Sequence, residues 1–368
     1  MLRLKISLAN LLLIVATSLT IVLLWQLRAL LVVLMIAVVL ASTLAPIIDS
    51  AEKLRIPRWL AVILVYLGLI AGLTGIGLVI GPTVAEQIQR LFRKLPAYLE
   101  VLTSLLDALA IRLGMTEPAL SQMFDAGTVT SWVIRSSQQL VVQSYGLTRS
   151  LLAGVFTVIL ATLLSGYMLA GSEQLIKGGV SLFPKPWDEK LAAQVKPVSQ
   201  RMGGYIQGRV VVSGILGMAI TVGLKFLGLS EFALGLGVIA GVTNLIPFFG
   251  PVLGAIPALI VAIAQGGWTF SWVLLLFVII QNLETYILDP LLVGSSVRVH
   301  PLYQLLAVLG GAKVLGILGA LIVPPWVAGA ALVLENLYLK PKLEAEQNAA
   351  TISAASEPDG SNAISLKG

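Results

Sequence analysis

The chain has 368 residues, of which 57% are hydrophobic and only 11% charged, at a mean hydropathy of +0.95. Soluble domains carry roughly a quarter charged residues, so this composition excludes a water-compatible surface around a single core. The net charge of +6 is modest and its lysines and arginines are spread through connecting segments, which suits membrane topology better than nucleic-acid binding; the absence of cysteine excludes disulfides, thiolate metal sites and thiol nucleophiles.

Several apolar runs exceed the ~18–20 residues that span about 30 Å of hydrocarbon, so the chain reads as polytopic. Leu8–Leu24 is the first predicted span, Trp25–Arg28 an interfacial break, and Ala29–Ile48 the second span. Arg3 and Lys5 before Leu8 could pass for the start of a signal peptide. No small-x-small cleavage site follows, and the run is read as a retained helix. Lys53, Arg55 and Arg58 follow the second span, and with Arg3 and Lys5 they predict a cytoplasmic N-terminus. Trp59–Gly81 is the third span, expected to end at Pro82 and to close a first unit over residues 1–82.

Residues 83–148 change character. Val84, Ile88, Leu91, Leu95, Tyr98, Leu102, Leu105 and Leu109 alternate spacings of four and three, which makes a narrow seam on an amphipathic helix that Pro96 should kink or split. Thr83–Thr148 is therefore expected to be a helical hairpin outside the membrane core, its seam serving either self-packing or a subunit or partner contact. Residues 149–342 read as a transport core. Ser150–Gly171 is the fourth span, Ser172–Gly208 a basic cytoplasmic loop, Val210–Leu227 the fifth span and Trp268–Leu288 a later one. The Ala/Ser/Asn/Glu-rich segment 343–368 has no apolar periodicity and is expected to be a disordered tail.

Two segments of the C-terminal half are broken. Ile246–Pro257 (IPFFGPVLGAIP) carries three prolines and two glycines within an apolar stretch, and Leu302–Leu339 is too long for one span and contains Gly310, Gly311, Gly316, Gly319, Pro324 and Pro325. An interrupted helix survives in a bilayer only where protein or a water-filled cavity satisfies the freed backbone groups, so a pair of such segments points to a solute pathway. Each could cross once, giving about eight membrane segments with both termini cytoplasmic, or re-enter on the same side. The predicted fold is all-α and polytopic, with Gly/Pro-broken or re-entrant helices.

Polar residues within these runs are the candidates for chemistry. Gln281, Glu284, Thr285 and Leu288 fall on one helical face, and Asn282, Tyr286 and Asp289 on the adjacent one. An ionisable group in hydrocarbon costs at least ~2.5–3.5 kcal/mol, so intramembrane carboxylates face a cavity or a partner. Desolvation also favours the neutral form of a carboxylate, which suits a proton-coupled carrier. Glu284 is thus the first candidate for a proton or cation site, the alternative being an interfacial residue that caps or pairs structurally. Asp289, before Pro290, reads as a helix-end residue. Asn244 can bond a solute or the backbone freed by Pro247, while Gly250 and Gly254 have the small-xxx-small spacing of close helix contacts. His300, the single histidine, reads as a loop residue, and Lys313 as a snorkelling side chain. No HExxH, GxxxxGK[ST], GxSxG or Cys–His pair is present. No enzyme activity, cofactor or metal is expected.

In order and spacing, Tyr205–Gly208 (YIQG), Ile246–Pro257, QNLETYILDPLLVG (Gln281–Gly294), His300-Pro301-Leu302 and GGAKVLGILGALIVP (Gly310–Pro324) resemble the autoinducer-2 exporter family of bacterial membrane proteins, over roughly Leu8–Leu339. Arg209 departs from the resemblance, standing where the family often has Gln. The resemblance implies an inner-membrane secondary transporter with about eight segments, cytoplasmic termini and self-association. Named members are linked to export of autoinducer-2, others to exchange of sodium or lithium for protons. The pathway expected here is lined by Asn244, Pro247, Gly250, Gly254, Pro257, Gln281, Asn282, Glu284, Asp289, Gly311, Gly316 and Gly319. Its partners are the lipid bilayer, a small polar solute and a coupling H+ or Na+. A Na+(Li+)/H+ antiporter and a non-transporting membrane scaffold are the competing readings.

Overall fold

The computed structural model describes residues 8–112, 144–294 and 300–356, and among them every regular element is helical. Five helices are long and apolar enough to cross a membrane, or six if a bent pair is one span. The chain is a multi-pass helical membrane protein.

Helix α1 (Leu8–Gln26) passes its hydrogen-bond ladder through Leu27 into α2 (Arg28–Lys53), with Leu27 N donating to Leu23 O and Leu31 N to Leu27 O. The expected break at Trp25–Arg28 therefore does not interrupt the ladder. Helix α3 (Arg58–Arg112) is continuous over 55 residues, through both Pro82 and Pro96. The helix itself thus runs past Pro82, where the third span is expected to end, and Pro96, expected to kink or split it, does not split it. A proline removes one intrahelical bond, and strong helix formers on either side carry the ladder past it. The second arm of the expected extramembrane hairpin falls largely on residues 113–143, outside the described residues.

Helix α4 (Ser144–Ala170) leads into the short α5 (Ser172–Val180), which turns away at 84°. Helix α6 (Trp187–Phe226) runs for 40 residues, about 60 Å at 1.5 Å per residue, so most of the expected loop 172–208 is helical. Next come α7 (Ala233–Thr243) and α8 (Phe249–Gln265), then α9 (Thr269–Leu283), whose continuation Glu284–Val293 is wound as a π-helix. Helix α10 (Pro301–Leu334), a π-turn over Glu335–Leu339 and α11 (Lys340–Ser356) complete the chain. The tail expected to be disordered from Leu343 is thus helical as far as Ser356. Its Ala-, Glu- and Gln-rich composition favours helix even without an apolar face.

Both broken segments fold back as hairpins. Helices α7 and α8 pack with Gly250 against Thr243 and Gly254 against Ala240, and the chain reverses through Leu245–Phe248, where Phe248 takes φ +67°. In the second, Gly316 at φ +66° and ψ −150° divides α10 into residues 301–315 and 317–334, and Gly311 and Gly319 press backbone to backbone. The reversal is confirmed from α6: Gln304 of the first arm reaches Tyr205, and Gly329 of the second rests on Met202. A straight helix would hold residues 304 and 329 about 37 Å apart. The first hairpin follows the C-terminal end of α6, with Gly241 on Ser213 and Gly217, whereas the second has its open end beside Met202 and Tyr205. The two hairpins therefore approach α6 from opposite ends.

The rest is held by packing and a few polar ties. Helices α2, α3 and α4 share a core of Leu44, Ile48, Ala61, Val62, Tyr66 and Leu169, tied by the buried Tyr66–Ser165 hydroxyl pair and by Arg58 Nε donating to Leu169 O at 2.7 Å. Leu91 of the α3 extension enters the second core with Tyr205, Leu216, Phe232, Leu236 and Val261. Tyr98 meets Phe232 edge-on, Gln87 accepts from Gly235 N, and Lys94 pairs with Glu231. The seam of α3 thus packs on α7 and the loop before it within this chain.

The close contact of α2 and α6 gives a test. A Cβ at Gly203 would strike the Ser42 carbonyl, while one at Gly214 on the same helix would meet nothing within 4 Å. Gly203→Val is expected to cost at least about 1–3 kcal/mol of stability through overpacking. Gly214→Ala should be neutral or stabilising by up to about 1 kcal/mol. Thermal unfolding of the two purified proteins in detergent measures both.

Candidate functional site

Arg209 opens the apolar part of α6 and Glu284 closes the apolar part of α9, so each places a charge where an apolar run meets a polar one. The fold brings the two together. Arg209 Nη1 donates to Glu284 Oε1 at 2.8 Å and to Asp289 Oδ1 at 3.3 Å. Asn244, at the reversal of the first hairpin, donates from Nδ2 to the same Glu284 Oε1 at 3.1 Å. Arg209, Asn244 and Glu284 are 4%, 3% and 2% exposed, while the Asp289 side chain retains 40% exposure. One cation and two carboxylates from two long helical elements therefore meet the tip of a hairpin.

The π-winding explains why Glu284 and Asp289 act together. On an α-helix residues five apart lie on different faces, as the sequence reading placed them. In a π-helix each hydrogen bond spans five residues, so residues i and i+5 stack on one face. Asp289 is accordingly no helix-end residue: it lies within Glu284–Val293 and its carbonyl accepts from Gly294 N at 2.7 Å. Gly208, next to Arg209, lets α6 approach the Leu292 backbone, which holds the π-segment against the helix.

The other predicted residues divide by location. Pro247 sits in the reversal of the first hairpin, Pro257 lies inside α8, and Gly250 and Gly254 serve the packing of α8 on α7. Gly311, Gly316 and Gly319 make the second hairpin and touch no member of the charge cluster. Gln281 bonds Thr285 within its own helix, and exposed Asn282 donates to Val278 O at 2.7 Å, so neither amide joins the cluster. His300 caps α10, its Nδ1 accepting from Leu302 N. Among the described residues no group of three or more His, Cys, Asp or Glu side chains is placed to hold a metal ion.

The residue that sequence reasoning left out of the site is Arg209, noted as a departure from a motif that could change what binds near the fifth span. Its signal was available: an arginine at the start of the apolar part of a helix requires an anionic partner if it is buried, and Glu284 and Asp289 were the carboxylates in apolar runs at hand. Two neighbours extend the polar face of α6 one turn each way. Tyr205 accepts a bond from Gln304 Nε2 at 3.4 Å, and Ser213 is 4% exposed. Arg209 Nε and Ser213 Oγ have no hydrogen-bond partner.

The comparisons identify the family of the chain. Residues 12–338 match the AI-2E family transporters. The YueF protein of Bacillus subtilis (strain 168), named only as a candidate transport protein, is 28% identical over 325 residues, covering 86% of this chain and 87% of its own length. The YrrI protein of the same organism, similarly named, is 29% identical over 303 residues, covering 80% and 83%. A Mycobacterium tuberculosis protein, MT0215, is 25% identical over 316 residues, covering 83% of each chain. With the match running through every membrane helix, both broken hairpins and the buried charge cluster, this chain belongs to the AI-2E family of transporters, a non-enzymatic family.

Proposed function

We propose that the protein is a secondary transporter that moves a small polar solute across a bacterial plasma membrane, with both termini in the cytoplasm. The observation that carries this reading is Glu284. It is a carboxylate at 2% exposure held between an arginine of α6 and the tip of a broken hairpin. Burying charge is costly and is retained where it has a task, and a hairpin tip is an element that can move. Glu284, with Asp289 and Asn244, forms the centre of the proposed pathway. Gly250, Gly254, Pro247 and Pro257 shape one hairpin, Gly311, Gly316 and Gly319 the other, and Gln281 and Asn282 stand at its margin. Helix α7 has 11 residues and α8 has 17, about 16 and 25 Å against some 30 Å of hydrocarbon, which supports re-entry of the first hairpin. With α2, α3, α4, α6 and α9, the two hairpins make seven membrane segments, or eight if α1, whose ladder runs on into α2, is counted by itself.

A second reading, exchange of Na+ or Li+ for protons, is favoured by the excess of one negative charge when both carboxylates are ionised beside Arg209. We further assign self-association to α3. Its residues 67–79 are exposed on all sides, and Gly68 and Gly72 have the spacing that lets membrane helices approach closely.

Flux assays in proteoliposomes test the site. Glu284→Gln should keep the fold, because Asp289 still faces Arg209, and lose solute or cation-driven flux by at least about tenfold, the loss of one charge-assisted contact. Full activity in that variant removes the role given to Glu284. Asn244→Ala should lower flux and Asn282→Ala should not, since the Asn282 amide is satisfied within its own helix. The chain contains no cysteine, so Gly72→Cys introduces a single thiol. Oxidation in membranes should give a cross-linked dimer, and a monomer at all oxidant levels would place lipid, not a second copy, against this face.

A further inference from the structure

Arg209 holds its partners in an unusual way. An arginine facing a carboxylate commonly uses two nitrogens as a fork against two oxygens. Here one atom, Nη1, bridges Glu284 Oε1 at 2.8 Å and Asp289 Oδ1 at 3.3 Å, while Nε has no hydrogen-bond partner. A single point of positive charge between two carboxylate oxygens is the arrangement a small bound cation makes with the same groups. Asn244 adds a third polar group around Glu284 Oε1, and the cluster lies among apolar side chains including Val212, Ile280 and Val293.

Deepening the reading of this cluster as the transport site, we propose that Arg209 is a tethered counter-cation: its guanidinium occupies the position a monovalent metal ion would take between Glu284 and Asp289. It thereby excludes Na+ and Li+ from the site. The side chain is anchored in the middle of α6 and only its terminal nitrogen reaches the carboxylates. Glu284 therefore has a counter-charge built into the chain, with no ion drawn from either side of the membrane. Buried Glu284 beside partly exposed Asp289, left without the guanidinium, would need another positive charge, because removing one member of a buried ion pair leaves an uncompensated charge. Arg209 is in this sense the specificity-determining residue: the same backbone with a neutral side chain at position 209 becomes an alkali-cation site.

The test measures binding and does not depend on transport. Purified protein in detergent is melted in NaCl, LiCl or N-methyl-glucamine chloride at equal ionic strength, and binding of radioactive sodium is measured in parallel. Wild type should show equal Tm in the three salts and no saturable sodium binding. Arg209→Gln should be raised in Tm by Na+ or Li+ and bind sodium at least tenfold more tightly than wild type. Arg209→Gln/Glu284→Gln, which removes both charges, should lose that response. If Arg209→Gln is recovered folded only with sodium or lithium present during solubilisation, the proposal stands. If it unfolds in every salt while the double variant folds, or folds without an ion-specific shift, the proposal is overturned. Saturable sodium binding by wild type that Glu284→Gln abolishes overturns it irrespective of the variants. Loss of flux in Glu284→Gln with no ion response in Arg209→Gln would leave the transport reading intact and defeat this inference alone.

Discussion

A charge removed from water must find its opposite nearby, and in this protein that requirement governs how the C-terminal half is assembled. Arg209 is fixed at the start of the apolar part of α6, so its partners must come to it. Glu284 and Asp289 do so through a π-wound segment, and Asn244 through a hairpin that stops at their level. Removing Arg209 would leave Glu284 a buried carboxylate without its counter-charge, at a cost of about 3–5 kcal/mol. The cluster therefore ties three otherwise separate elements to one point.

Close backbone approach makes that convergence possible. Gly203 seats α6 on α2 and Gly208 seats it on the π-segment, while Gly217, Gly237 and Gly241 let α7 lie along the same helix. A membrane offers no hydrophobic drive between helices, so such contacts rely on shape and on small residues. The same economy builds the two hairpins, each a pair of short helices folded back on glycines, arriving from opposite ends of α6. The first hairpin is packed into the core through Leu236, Ala240, Ala258 and Val261, and its tip meets the charge cluster through one polar bond, from Asn244 to Glu284.

The remainder of the molecule provides a frame for this centre. The α2–α3–α4 bundle is tied by Arg58 and by the Tyr66–Ser165 pair, and the extension of α3 past Pro82 grips the start of α7 through Gln87, Leu91, Lys94 and Tyr98. One long helix thus connects the scaffold to the base of the first hairpin. Any movement of that hairpin must work against, or together with, the α3 extension.

By itself the sequence determined what composition and periodicity can determine: a helical, polytopic membrane chain, a seam over residues 84–109 of which Leu91 and Tyr98 enter a core, two broken segments, and Glu284 as a carboxylate that could not stand alone. The family, too, was legible in motifs spread from Tyr205 to Pro324. Tertiary structure decided what local pattern cannot encode. A proline predicts a weak point in a helix, but whether the ladder continues, as at Pro82 and Pro96, or the chain reverses, as at Gly316, depends on what packs on either side. The α-helical period separates Glu284 from Asp289, and only the π-winding places both on Arg209. An arginine's partner lay 75 residues away in the chain, and pairing over that distance is fixed by the fold, because the energy of a buried charge depends on its surroundings and not on its neighbours in sequence.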